Sequence, residues 1–565
     1  MSQKIKTILI CFITFLLFLA WWSALTIGLS TDEYFHHING LKRYNFLISL
    51  GEDTKFQFRN NEFYPGLYDT LSYAVGQIIL IINKKFYANN IDFVMHLVNI
   101  SFSTLSILGL YLFTKKIFNN NIAILTSFLT LLNPFFFGHM GMNSKDLIIF
   151  FSLIWFCYYF YLYCLEDKKN IKNLILASFF IGFGCGVRLT FLVVIFPVVI
   201  CGLIFLFIKY KNEYIYLSKR ILLHSLTALF ISSFLIVLCW PHMILEIQNG
   251  NFLNFFKTII NNSINWIDGP KTGIINGEYY EVFNTPKSYF LDIIIYRLPF
   301  YFTILVISTY LLIFTKNLFI ENNISNFKIK FIVINLVAFF PILLALFLTV
   351  NIYDNLRLFL FIIPFFCIIA SFSLEYLIKS FRINWKTKTF FSIILILFSL
   401  SFYRFILLTP YQYDYVNYSA LKFKNAEYKW EHDYWGASYK ELVLKIKDRY
   451  SREELQKMKI TNCSGDDTLL YYLYRHLGKK FIYRNKREHE ADYTVLINRA
   501  TLYVINNPAV ENLVNDKGDM LVSDMEKVVR TPGVKTTCHE QYIGKDVVRV
   551  SRNGVTLSAL RKLDK

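Results

Sequence analysis

Uncharged apolar runs, separated by short polar turns, recur through the first 409 residues of the chain and then stop. The first of them, "ILICFITFLLFLAWWSALTIGLS", is followed at once by "TDEYFHHINGLKRY". An apolar stretch of roughly 18 or more residues is long enough to cross the hydrocarbon layer as a helix. On that criterion spans are expected at 7–29, 92–114, 119–137, 147–165, 173–187, 190–208, 221–241, 289–315, 331–350, 358–378 and 389–409. The stretch 66–83, "GLYDTLSYAVGQIILIIN", carries Asp69 and Gln77 and fits either a span or a helix lying at the interface. Basic residues favour the cytoplasmic ends of spans, which decides between the two. With 66–83 on the surface, the junctions holding Lys115 and Lys116, Lys168 to Lys172, Lys209 to Arg220, Lys328 and Lys330, and Lys379 to Lys388 all fall on one side. The pattern therefore predicts a polytopic α-helical membrane protein of about eleven spans, with "MSQKIK" inside and the C-terminal part outside.

After residue 409 the pattern changes. "SREELQKM" reads as a helix capped by its serine, "DTLLYYLYRHLG" as a short amphipathic helix and "ADYTVLINR" as a strand. Residues 410–565 are expected to form a small soluble α/β domain outside the membrane domain 1–409. That region has no Gly-rich phosphate loop, metal-spaced Cys/His set or nucleophile motif, so the chemistry is not expected there. No cleavage pattern follows the first run, which is expected to stay as a span.

Composition agrees: 55% of residues are hydrophobic, 18% are charged, and the mean hydropathy is +0.40. The formal net charge of +19 could suggest nucleic acid. Much of the excess sits in short segments between spans, which points to topology and anionic headgroups instead. Of the nine cysteines, all but Cys463 and Cys538 fall in predicted spans; those two can pair if the tail is outside.

The outer side collects 30–91, 138–146, 187–190, 242–288 and 351–357, and several of these short turns carry ionisable residues at the hydrocarbon boundary. Charge held there is costly and usually marks a site. Asp32 and Glu33 compete for the role of a base, since neighbours on a helix point in different directions. Their other reading is a first turn capped by Thr31. Lys145, Arg188 and Arg357 suit phosphate, with Arg357 strongest because Tyr353, Asp354 and Asn355 can hold it. Asp146 can orient an acceptor or a cation, and Tyr353 can contact acceptor or sugar; Lys145 and Asp146 can equally pair with each other, and Arg188 can snorkel. His139 can contact a sugar or face water, the latter being favoured. In 242–288, Asp268, Glu278, Trp266 and Tyr279 offer acceptor or carbohydrate contacts, although "DGPKTG" is first a turn. Asp433, Tyr434 and Trp435 of "EHDYWG" can cover the cavity or contact acceptor, or simply pack the tail on the membrane domain. His36, His37 and the carboxylates lack a ligand spacing, so no metal and no cofactor is expected.

Taken in order, "DEYFHH" after the first span, "FYPGLYDTLSY", "LLNPFFFGHMGMNSKDLIIFF", "IYDNLRLFLFIIP" and "KWEHDYWGASYKELVLKI" resemble the GT-C membrane glycosyltransferases. The resemblance is to the set related to protein O-mannosyltransferases and aminoarabinose transferases, and it covers roughly residues 1–445. It implies transfer of a sugar from a polyprenyl-phosphate carrier to a glycan, lipid or protein acceptor at the outer face, with bacterial members suggesting an inner membrane and a periplasmic site. Asp32 and Glu33 match the family's first-loop acid, assigned as base or acceptor-orienting group. Asp146 matches the acid after the Asn-Pro helix end, and Arg357 the late-loop arginine. A glycine stands in "FYPGLYD" where relatives often have a second proline, and "YDNLRLF" has no histidine after its arginine. Both departures leave the sugar open. A transporter or flippase is the main rival, against which stand the one-sided charges and the lack of an internal repeat; a glycan polymerase or ligase is another.

Overall fold

The computed structural model describes every residue except 55–63, 167–170, 265–271, 283–284, 316–325, 349–350, 382–384, 423–428, 464–466, 481–490, 500–537 and 565. Trp266, Asp268, Lys168, Lys169 and Arg382 therefore lie outside the described residues, as do the side chains of Glu278 and Tyr279. The chain begins with α1 (Gln3–Thr26), α2 (Thr31–Ile48), α3 (Leu67–Ile82), α4 (Lys84–Asn89), α5 (Ile91–Ile117) and α6 (Asn120–Leu132). Next come α7 (Pro134–His139), α8 (Asp146–Leu165), α9 (Lys172–Cys185), α10 (Phe191–Lys209) and α11 (Tyr214–Leu238). An excursion made of α12 (Pro241–Gln248), α13 (Phe252–Ile264) and the hairpin β1 (Thr272–Ile275) and β2 (Glu278–Glu281) precedes α14 (Tyr289–Tyr296) and α15 (Phe300–Phe314). Then follow α16 (Phe327–Phe347), α17 (Ile363–Ser380) and α18 (Trp385–Leu407).

Among the described residues, eight segments are long and apolar enough to cross a bilayer: α1, α5, α8, α10, Ser218–Leu238 of α11, α16, Arg357–Ser380 and α18. The expected straight span at 289–315 is instead broken into α14 and α15, bent by 114°, and makes a ninth if counted as one. Pro299 explains the break, because it lacks an N–H and disfavours helical backbone at Leu298. The expected spans at 119–137 and 173–187 correspond to shorter helices, α6 with 13 residues and α9 with 14. Asn133 and Pro134 end α6 and start α7, with the Asn133 side chain accepting from Phe136 N–H. The protein is thus a polytopic α-helical membrane protein with a β-containing C-terminal domain.

Helices α5, α8 and Arg357–Ser380 are largely buried, while α11 and α18 leave most of their apolar surface open. Exposed Leu222, Leu226, Leu229 and Phe230 on α11, and Ile393, Ile396 and Leu400 on α18, make the strips expected to face lipid. Buried α5 carries a polar stripe instead. Asn99 donates to Gly141 O at 3.1 Å and Ser103 to Met140 O at 2.9 Å, holding the turn between α7 and α8.

The C-terminal domain contains α19 (Tyr418–Leu421), α20 (Tyr439–Arg449), α21 (Arg452–Lys457), β3 (Ile460–Asn462), α22 (Asp467–Leu477), β4 (Tyr493–Ile497), α23 (Cys538–Gln541), β5 (Gly544–Arg552) and β6 (Val555–Leu563). Its sheet has the order β3-β4-β6-β5, with β3 and β4 parallel and the other pairs antiparallel. Asn553 and Gly554, at φ 51° and 80°, make the two-residue turn between β5 and β6 that an Asn-Gly pair favours. Ser451 caps α21 in a capping box, and Cys463 is joined to Cys538. The domain is fastened to the membrane part by Lys440 to Asp92 at 2.7 Å and by Leu29 N–H donating to the Tyr472 hydroxyl at 2.7 Å. Gly138 lets the 411–415 segment lie directly on α7, since a Cβ there would stand 2.1 Å from Tyr413 N.

Candidate functional site

The site is organised by the N-terminus of α2. Ser30, not Thr31, is the N-cap: the Glu33 carboxylate reaches back to accept from Ser30 N–H at 2.8 Å and closes a capping box. Thr31 instead gives both its N–H and its hydroxyl to Trp435 O, at 2.9 and 3.0 Å. Glu33 is fully buried, with His96 Nε2 at 3.1 Å and Asn99 Nδ2 donating at 2.9 Å. Those bonds turn it into the bundle. Asp32 points the other way and keeps 39% of its side chain exposed.

Asp32 faces a cluster of cations. Arg357 Nη1 lies 3.4 Å from Asp32 Oδ2, and Arg357 Nη2 lies 3.2 Å from Asp354 Oδ2. The buried Arg357 guanidinium sits 4.6 Å from the Trp435 ring centroid and 5.1 Å from that of Tyr353. This stacking suits arginine and restricts its plane. Asp354 and Asn355 adopt left-handed backbone, at φ 55° and 61°, and Tyr289 holds the turn by donating to Asn355 O at 3.0 Å. Such backbone costs of order 1–3 kcal/mol per residue and persists where the surroundings hold it. Burial alone would raise the Asp32 pKa, but the charges of Lys145, Arg357, His36 and Arg499 outweigh it and hold the carboxyl down at about 2.

Lys145, the N-cap of α8, stands over the Tyr64 ring at 5.3 Å. Among the described residues no carboxylate lies within salt-bridge distance of its ammonium; burial lowers its pKa, and Asp32 partly offsets this. Asp146 pairs with Arg188 rather than with Lys145, at 3.0 Å, and also accepts from Asn143 at 3.1 Å. Arg188 thus reaches inward to a buried carboxylate instead of outward to headgroups. Lys145, Arg188, Arg357 and Arg499 converge among Asp32, Asp146 and Asp354, a set of cationic donors suited to a phosphate.

Two expected contacts are buried elsewhere. His139 does not face water: it is fully buried, with Nδ1 2.7 Å from Phe135 O and Nε2 2.7 Å from the Tyr434 hydroxyl. Asp433 is also fully buried, bonded by the Tyr413 and Ser438 hydroxyls and by Ser438 N–H at 3.1 Å. His139 ties the 430–438 segment to α7, and Asp433 ties it to the 411–415 segment that lies on α7. Burial, then the nearby Asp414 charge, pushes the Asp433 carboxyl up to about 8 despite its hydrogen bonds. A raised pKa favours the protonated folded form. The contribution is full below the ordinary value near 4 and is lost as pH rises through 8. In detergent, the apparent Tm of D433N is therefore expected to fall less than that of wild type between pH 5 and 8.5. Parallel curves would refute the assignment.

Three groups escaped the sequence reading. Asp69 accepts from Arg43 Nη1 at 2.5 Å, with His36 Nδ1 at 2.7 Å, locking α2 to α3 behind Asp32. His36, Gly40 and Arg43 sit at i, i+4 and i+7, a single helix face that was legible once Asp69 was seen to need a partner. Asp92 takes Lys440, and Arg499, carried just beyond β4, approaches Asp354 at 3.7 Å. Neither pairing leaves a local signal. Among the described residues, no three His, Cys, Asp or Glu side chains converge as a metal-holding group.

No individually curated protein matches the sequence. Among solved structures, ArnT from Cupriavidus metallidurans bound to undecaprenyl phosphate is 13% identical, over 84% of this chain and 85% of that one, with a TM-score of 0.46. AglB, the oligosaccharyltransferase from Archaeoglobus fulgidus, in complex with an inhibitory peptide and a dolichol-phosphate, is 10% identical, over 87% and 70%, with a TM-score of 0.47. Superpositions this loose transfer no residue or role to this chain. Residues 78–240 match the family described as dolichyl-phosphate-mannose-protein mannosyltransferase, a stretch that holds Lys145, Asp146 and Arg188 and excludes Asp32 and Arg357. By sequence, then, the middle of the membrane part of this chain is similar to the dolichyl-phosphate-mannose-protein mannosyltransferases.

Proposed function

We propose that the protein is a membrane glycosyltransferase that moves a sugar from a polyprenyl-phosphate carrier to an acceptor hydroxyl, with inversion. The observation that carries this reading is the half-open Asp32 carboxylate beside the buried, ring-stacked Arg357. The family match over 78–240 supports a lipid-phosphate donor. In the proposed reaction the acceptor oxygen attacks the anomeric carbon and forms the new glycosidic bond. The bond from that carbon to the phosphate oxygen breaks, its electron pair leaving with the lipid phosphate. Asp32 takes the acceptor proton, and Arg357, Lys145 and Arg188 stabilise the leaving charge. The phosphate also cancels part of the field that depresses the Asp32 pKa, so the carboxylate becomes more basic once donor is bound. Asp146 positions Arg188, and Tyr353 and Trp435 position Arg357.

The same reading has eleven spans, with α6 and α9 crossing together with their flanks, and α2 and α3 at the outer surface. The domain 410–565 then lies outside, in the periplasm of a bacterial inner membrane. The Cys463–Cys538 bond supports that side, since disulfides persist in oxidising compartments. The test uses purified protein in lipid with radiolabelled polyprenyl-phosphate sugars and membrane-extract acceptors. Transfer of label with release of free polyprenyl phosphate is expected. Movement of intact donor between leaflets without release would replace the enzyme by a flippase.

A further inference from the structure

We propose that Arg499, supplied by the C-terminal domain, is a positioning residue of the membrane site: it takes over Asp354 when Arg357 turns to the donor phosphate. The proposal rests on the lipid-phosphate reading above.

The Asp354 carboxylate is buried, with Oδ2 on Arg357 Nη2 at 3.2 Å. Its other oxygen, Oδ1, is buried and has no hydrogen-bond donor among the described residues. Arg499 Nη2 stands 3.7 Å from that oxygen, just beyond hydrogen-bond distance. Arg357 is therefore divided between Asp354 and Asp32, and a phosphate that draws it away would strand Asp354 as a buried charge. Stranding a buried charge is strongly unfavourable. A second cation already facing the vacant oxygen removes that obstacle by a small approach.

The placement of Arg499 is built rather than incidental. At the end of β4, Asn498 donates to Trp430 O at 2.8 Å, and His432 N–H donates to Asn498 O at 2.9 Å. These bonds dock the strand end on the segment that carries Trp435. Arg499 Nη1 then donates to Tyr434 O at 2.7 Å, leaving Nη2 toward Asp354. Burial would lower the Arg499 pKa, but the charges of Asp354, then Glu431 and Asp32, outweigh it and raise it. The C-terminal domain thereby contributes a charge, as well as the Trp435 ring, to a site whose other groups come from the membrane part.

The test measures binding of undecaprenyl phosphate to the full chain in lipid nanodiscs, comparing wild type with R499Q, R499K, D354N and R499Q/D354N. R499Q is expected to weaken binding more than about tenfold, because Arg357 stays committed to Asp354. R499K, which keeps the charge, is expected to bind close to wild type. Neutralising the stranded group in R499Q/D354N is expected to recover most of the loss, which a merely structural role of Arg499 would not allow. Equal binding by wild type and R499Q overturns the role. So does a double variant no better than R499Q, which would put Arg499 directly on the phosphate or in the fold. If wild type itself does not bind, the donor reading falls, and this role with it. Unaltered size-exclusion profiles and recovery by R499K distinguish lost binding from lost folding.

Discussion

Sugar transfer by D32N is expected to fall by about 10²–10⁴-fold, the range in which a positioned general base contributes, while donor binding stays intact. Asparagine keeps the size of the side chain and removes its ability to take a proton. E33Q is the contrasting variant. The Glu33 carboxylate accepts from Ser30 N–H and Asn99 and faces His96, so an amide there puts a donor against donors. Leaving such groups unsatisfied costs about 1–3 kcal/mol. E33Q is expected to lower the apparent Tm and retain transfer per folded molecule. If E33Q abolishes transfer while D32N retains it, the assignment is reversed. The pH profile adds a second check. Because the cations hold Asp32 at about 2 in the free protein, its carboxylate is ionised throughout the range above pH 4. kcat/KM should show no acid limb from this group there. Bound phosphate cancels part of that field, so the acid limb of kcat should lie at higher pH than that of kcat/KM.

The second large effect is expected at Arg357. R357Q removes a cation held between Tyr353 and Trp435 and leaves buried Asp354 with Arg499 at 3.7 Å. Hydrogen bonds to charged groups are worth about 1.5–3 kcal/mol each. The Kd for polyprenyl phosphate should therefore rise about 10²-fold, with little change in the KM for acceptor. R357K restores the charge but not the planar fork, and should fall between the two. A donor Kd that is the same in R357Q and wild type would remove phosphate binding from this residue. Burial already raises the Asp354 pKa despite Arg357 and Arg499, so in R357Q this carboxyl is expected to bind a proton more readily still.

Several features of the protein were legible in the sequence because they are local. Run length separates the membrane part from the charged C-terminal region, and the capped helix of "SREELQKM" and the strand of "ADYTVLINR" follow from period and cap chemistry. The bend at Pro299 was equally local, and the long apolar run concealed it. The acidic pair at the start of α2 could be read only as two residues facing different ways. Tertiary structure separates them. Glu33 meets His96 and Asn99 of α5, and Asp32 meets an arginine 325 positions away in the chain.

The same distance in sequence explains the other surprises. His139 lies at a short turn, where exposure is the ordinary expectation, and is instead buried against Tyr434 of the 430–438 segment. Asp433 is buried in the packing that the sequence left open as one of its alternatives, bonded by Tyr413. Asp69 meets Arg43 only because α2 packs on α3. Arg499 follows an unremarkable strand, and only the docking of the C-terminal domain brings it to Asp354. The sequence by itself determined the membrane-spanning character, the composition of the outer turns and the helix-capping chemistry, because each depends on neighbours within a few residues. Which carboxylate stands open, and which cations surround it, was decided by tertiary structure alone, because electrostatic partners are chosen by proximity in space.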